Sequence, residues 1–271
     1  QKPAYEILSG LVGSEMCIRD SFWSDMHGQS KETIGTNSAE DYFDFARNKS
    51  FLDICGHQGN DFQITDDFWK ELNVLTKKFN EDGRFVALPG YEWSGNTAVG
   101  GDHNVWYIKE GRPIYRSSRA QIYDNKGKEN DAHTSKELIE KLSNENAMVV
   151  AHVGGRYADI TYAYNAKLEP SVEVHSAWGT FEWMLEDAFK QNYRVGVVAA
   201  SDGHKGRPGA SFPGDSLLTK GSIMNTEHFE RWLFDGQSTG RQRCLSDEGT
   251  VYKYSSLFPS SLFSLSLCLG G

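Results

Sequence analysis

The chain has 271 residues, 38% hydrophobic and 24% charged, which suits a folded globular protein with one barrel-sized domain rather than a disordered or fibrous one. Its formal net charge of -9, with no basic cluster able to release many counterions, argues against nucleic acid as the main partner and leaves room for a small anionic substrate. Cys17, Cys55, Cys244 and Cys268 show no CxxC spacing, so neither a zinc knuckle nor a disulfide scaffold is expected, and no apolar run of about 18 residues marks a membrane span.

In chain order, residues 1–21 contain "SGLVGSEMCIRDS", which resembles translated adapter sequence of the kind found in metagenomic genes, and are expected to be a non-native leader. With the native N-terminus out of view, no compartment can be read and the cytoplasm is only the default. "FWSDMH" reads as the first strand. "SAEDYFDFARNK" is a helix with a Ser38/Asp41 capping box, and "FLDICGH" is a buried strand ending at His57. "TDDFWKELNVLTKKFNEDG" is a helix capped by Thr65, with Phe68, Leu72, Leu75 and Phe79 on one face. "RFVALPGYEW" and "HNVWYI" are strands, and residues 109–133 read as a polar surface loop. "TSKELIEKLSNEN", with a Thr134/Glu137 capping box, leads into "AMVVAHV". "PSVEVHS", a helix carrying Phe181, Met184, Leu185, Ala188 and Phe189, and "RVGVVAASDGH" complete the pattern. Residues 22–245 are thus expected to form one domain cut short at its C-terminus, followed by an unreliable or disordered tail at 246–271.

Apolar strands alternating with amphipathic helices imply a parallel α/β sheet, open or closed into a barrel. His57, Glu92, His152, His175, Asp202 and His204 all fall at or just beyond strand ends, the face where β/α barrels place their chemistry. With His27, five of the eight histidines occur at such positions. A mixed His/Asp/Glu set favours a multinuclear hydrolytic centre over a structural zinc site.

The order His27, His57, Glu92, His103, His152 and Asp202-Gly-His204 resembles the polymerase and histidinol phosphatase (PHP) superfamily, in particular an uncharacterised PHP-like branch known as a domain of unknown function. "ASDGHKGRPG" and "VAHVGG" carry the likeness most specifically, and "EHFERWLFDGQSTGRQR" is similar to the helix and strand that follow the barrel in that branch. The resemblance implies a distorted TIM-like (β/α)7 barrel with helices outside and two or three divalent ions (Mn, Zn or Fe). It implies that His27, Glu92 and Asp202 hold a first ion, that Glu92 bridges to a second on His103 and His152, and that His57 and His204 hold a third. Gln29 stands where the family has the second histidine of an HxH pair, and is a ligand candidate with a weaker, neutral oxygen. No histidine lies between residues 30 and 56 to serve the third ion, and Glu32 is the nearest replacement. Asp25 is expected to orient a ligand rather than bind an ion.

The expected function is hydrolysis by metal-activated water, with a small phosphoester as the substrate class. Asp202 is the expected catalytic carboxylate, His175 the group that protonates or orients the leaving group, and Arg207 a source of positive charge for the phosphoryl oxygens. Two alternatives stay open: an amidohydrolase-type C–N or C–O hydrolase, and a degenerate module that binds metal or ligand without turnover. The sequence sets no oligomeric state.

Overall fold

A computed structural model describes residues 22–123 and 127–210. The expected leader, the stretch around residues 227–243 and the tail lie outside the described residues. No described helix is long and apolar enough to cross a membrane.

The chain runs β1 (Ser24–Asp25), α1 (Ala39–Asn48), β2 (Ile54–Gly56), α2 (Asp66–Phe79), β3 (Val86–Leu88), β4 (Gly90–Ser94), β5 (Asp102–Tyr107), α3 (Ser135–Leu142), β6 (Ala147–Ala151), β7 (Ser171–Ser176), β8 (Gly179–Thr180), α4 (Glu182–Lys190) and β9 (Gly196–Ala199). Ser38 accepts from Asp41 N while Asp41 answers the Ser38 N–H, so the expected capping box closes α1. Thr65 caps α2 through Phe68 N. At α3 the box is only half made: Thr134 accepts from Glu137 N, but Glu137 reaches back to His133 N.

The expected parallel barrel is corrected. Among the described residues the strands form two sheets and no closed barrel. β1, β2 and β3 make a small parallel sheet, while β4 to β8, with β9 beside β7, make a mixed one. Only β6–β7 and β7–β9 are parallel in the second sheet, whereas β4–β5, β5–β6 and β7–β8 are antiparallel. The physical reason lies at two points. Pro89, which has no N–H to give to a ladder, divides "RFVALPGYEW" into β3 and β4. The short turn between β4 and β5 then permits an antiparallel hairpin, which needs no crossover helix. The two sheets touch at the isolated bridges Asn60–Glu92 and Gly28–Gly203.

The main core fills the space between α1, α2, α3 and the sheets, with Tyr42, Phe43, Leu72, Tyr91, Trp93 and Leu138 all at 1% exposure or less. A second cluster, including Val172, Phe181 and Met184, seats α4 on β6 and β7. Phe189, expected to face the core, is instead exposed. The 109–133 segment is also less superficial than its polarity implies. Arg116 is 1% exposed, donating to the carbonyls of Asp61 and Ile64 and to Asp66 Oδ1, so its buried charge is paired and hydrogen-bonded.

Candidate metal centre

Strand register decides which side chains share a face. Directly paired residues lie on the same side of a sheet and neighbours in sequence on opposite sides. Glu92 pairs with Asn104, and Asn104 with Val150, which places His152, two residues on, on the same face. Ala151 pairs with Val172, so Glu173 joins His152. Trp93, His103 and Ala151 are likewise in register and form the opposite face, turned to the core.

His27, just past β1, enters this polar face from the other sheet. Its Nε2 lies 3.3 Å from Asp202 Oδ1 and 3.8 Å from Glu92 Oε2. Its Nδ1 meets both Glu173 oxygens at 3.1 Å, and its ring stands edge-on to His152 with centroids 4.5 Å apart. His27, Glu92 and Asp202 form one group of mutually close donor atoms, and His27, His152 and Glu173 a second. Asp202 adopts φ 46°, a left-handed conformation tolerated better by Asp than by most side chains. Asp25 does not orient an imidazole: its two oxygens accept from Ser201 N and Gly209 N, tying β1 to the loop that carries Asp202.

The electrostatics of this cluster are mutual. Burial pulls the His27 pKa down, but Asp202 and Glu173 outweigh it and hold the imidazole well above its usual range. Burial lifts Glu92, yet His27, His152 and Arg156 bring it down to about 2. His152 is pushed well below normal, chiefly by burial and then by His27. Asp102 is pushed up by burial and by Glu92.

A divalent cation fits this donor set. Ligands at about 2.0–2.2 Å in a tetrahedral shell stand roughly 3.3–3.6 Å apart, close to the 3.3 and 3.8 Å separations around His27 Nε2. His27 Nε2, Asp202 Oδ1 and both nitrogens of His152 are buried with no hydrogen-bond partner, and such groups cost free energy unless something satisfies them.

Of the other expected residues, His204 stays beside the cluster, with Nδ1 3.8 Å from Asp202 Oδ1, while the rest, Gln29 apart, are engaged away from it. His103 turns to the core, with Nδ1 on Gly101 O and Nε2 3.7 Å from the buried Glu169. His57 is 1% exposed, and burial lowers its pKa to about 3. His204 Nδ1 is held by Asp202 O at 2.8 Å, and His175 Nδ1 by Thr180 Oγ1 at 2.8 Å. Arg207 lines a cavity with Asn37, Asp41, Phe45 and Lys49 beside α1, none of which belongs to the centre. Gln29 does come in, its Nε2 donating to Glu92 Oε2 at 3.3 Å.

Three residues at the site were not singled out from the sequence. Glu173 was detectable as a carboxylate between valines on a buried strand. Asp102 and Arg156 were not, because their role depends on the pairing of β4 with β5. The Arg156 backbone N–H and Nε donate to Asp102 at 3.0 and 2.8 Å, and Nη2 lies 3.6 Å from Glu92 Oε1.

These features define a mixed α/β protein with a buried histidine–carboxylate cluster at the seam of two sheets. The chain belongs to the DUF3604 family, described as a protein of unknown function, whose model matches residues 15–182, more than half of the chain. It is 27% identical over 100 residues to an uncharacterised protein of Chlamydia pneumoniae, covering 35% of this chain and 16% of that one. With an uncharacterised protein of Chlamydia muridarum the identity is 22% over 163 residues, or 59% of this chain and 25% of that one. The chain thus spans a quarter or less of these relatives' length. A solved two-domain protein of Bacteroides vulgatus, described as containing a predicted PHP-like metal-dependent phosphoesterase, aligns with a TM-score of 0.48 at 12% identity, over 69% of this chain and 53% of that one.

Proposed function

We propose that the chain carries a metal-dependent hydrolase centre acting on a small anionic ester, with phosphoesters as the leading class. The observation that carries this reading is the convergence of His27 Nε2, Glu92 and Asp202 in a buried cluster where His27 Nε2 and Asp202 Oδ1 have no hydrogen-bond partner. His152, both of whose ring nitrogens lack a hydrogen-bond partner, stands beside them as a further donor. A divalent ion held by His27, Glu92 and Asp202 would supply positive charge to an ester oxygen and lower the pKa of a bound water.

The chain's own residues supply the rest. Glu173 grips His27 Nδ1 and so aims Nε2 at Glu92 and Asp202, the arrangement by which a carboxylate fixes a ligand imidazole. Asp102 holds Arg156 with its side chain 28% exposed. The guanidinium therefore sits at the mouth of the centre, where it clamps an anionic substrate oxygen. This is the role Arg207 was expected to fill from the sequence.

The test is metal analysis of protein purified without chelator, followed by a panel of phosphomonoesters, phosphodiesters and amides with added Mn, Zn or Fe. Bound ion together with ion-dependent turnover is the expected result. Less than one ion per chain with no activity under any ion overturns the proposal.

A further inference from the structure

Resemblance alone implies a third ion between His57 and His204 and makes Gln29 a ligand candidate. The side chains around these two positions are already engaged with one another. Gln29 is 1% exposed; its Oε1 accepts from Thr33 Oγ1 at 2.9 Å and its Nε2 donates to Glu92 Oε2 at 3.3 Å. The amide therefore turns its hydrogens toward the centre. The flipped orientation would set a carbonyl oxygen against a carboxylate oxygen, which the Glu92 charge opposes.

His57 is equally committed. Gly59 N–H donates to Nδ1 at 3.2 Å, which leaves the ring proton on Nε2, facing Ser30 Oγ at 2.8 Å. The Ser30 hydroxyl in turn donates to Glu32 Oε2 at 2.6 Å, and the same oxygen accepts the Ala39 N–H at the start of α1. Every donor in the chain His57–Ser30–Glu32 has its acceptor, and neither ring nitrogen retains a lone pair for a cation. Gly59 and the Thr33 side chain pack closely beside the ring: a Cβ on Gly59 would meet Thr33 Cγ2 at 2.5 Å and His57 Cε1 at 3.0 Å.

We infer that Gln29 is a positioning residue that donates to Glu92 rather than a metal ligand, that the Glu32–Ser30–His57 chain takes the place of a third ion, and that the centre accepts at most two divalent ions. This inference rests on the proposed metal centre, and the experiment separates the two. The 271-residue chain is loaded with excess Co(II), freed of unbound ion, and its metal content, visible absorption and affinity against a competing chelator are measured for wild type, Gln29→Leu and Gln29→Met. Wild type is expected to hold one or two ions. Both variants are expected to keep that number and the same absorption band at saturation, with affinity weakened 10–100-fold because Glu92 loses its orienting donor. Three ions per wild-type chain overturn the inference, as does a band shift in the saturated variants, which marks a lost ligand, or an unchanged affinity. Each of these leaves the metal centre standing, whereas no ion on the wild type overturns both.

Discussion

Glu173 illustrates how one residue conditions the site. Both of its oxygens lie 3.1 Å from His27 Nδ1, so removing its charge frees the imidazole to rotate. Glu173→Gln is expected to weaken metal affinity 10–100-fold with the fold retained, as read by chelator competition beside circular dichroism; wild-type affinity would count against its positioning role. Arg156 is the proposed substrate clamp. Arg156→Ala is expected to raise KM for an anionic ester more than it lowers kcat, since a clamp already made in the ground state contributes uniform binding. Steady-state kinetics on the best substrate of the panel check this. His27, Glu92, His152 and Asp202 were legible in the sequence as ligand-type residues at strand ends. His103 lies on the face opposite Glu92; a strand-end histidine has the same local appearance on either face, and only the pairing of Glu92 with Asn104 and of Trp93 with His103 assigns it.

At the scale of elements, the helices follow their sequence closely. α2 presents Phe68, Trp69, Leu72, Leu75 and Phe79 to the core and stacks Phe79 on Phe43 of α1, with ring centroids 5.8 Å apart. Leu72→Ala, at a side chain 1% exposed, is expected to cost about 2–5 kcal/mol through lost burial and the cavity left behind. Urea unfolding measures this, and a loss below about 1 kcal/mol would show that the site collapses or that α2 is loosely packed. The strands departed from expectation where one residue changed the geometry. Pro89 ends one ladder and begins another, and β5 returns antiparallel where alternating helices and strands imply a parallel neighbour. Hydrophobic periodicity marks a strand without stating its direction, which depends on the length and path of the connection.

For the molecule as a whole, buried charge away from the centre sets an acid–base dependence of stability. Glu169 is 2% exposed and burial raises its pKa to about 8. The folded state thus holds a proton that the unfolded state releases near the ordinary carboxylate value. This contribution is fully present below that value and is lost as pH rises through about 8, with a slope of at most about 1.4 kcal/mol per pH unit. Glu169→Gln keeps the neutral form at all pH values and is expected to flatten the fall in Tm between those limits. A thermal-melt series from pH 5 to pH 9 tests it, and an unchanged slope in the variant would assign the effect to another group.

What the sequence by itself determined is local: the capped, amphipathic helices, the apolar strands, the acidic composition, and a set of histidines and carboxylates at strand ends. These depend on spacing and on the chemistry of neighbours a few residues apart, which one chain displays directly. Only the tertiary structure decided that the strands form two sheets, that His103 faces the core, that Glu173 and Arg156 belong to the centre, and that His57 is sealed by Ser30. Each of these depends on register between segments far apart in sequence, where a shift of one residue moves a side chain to the other face of its sheet.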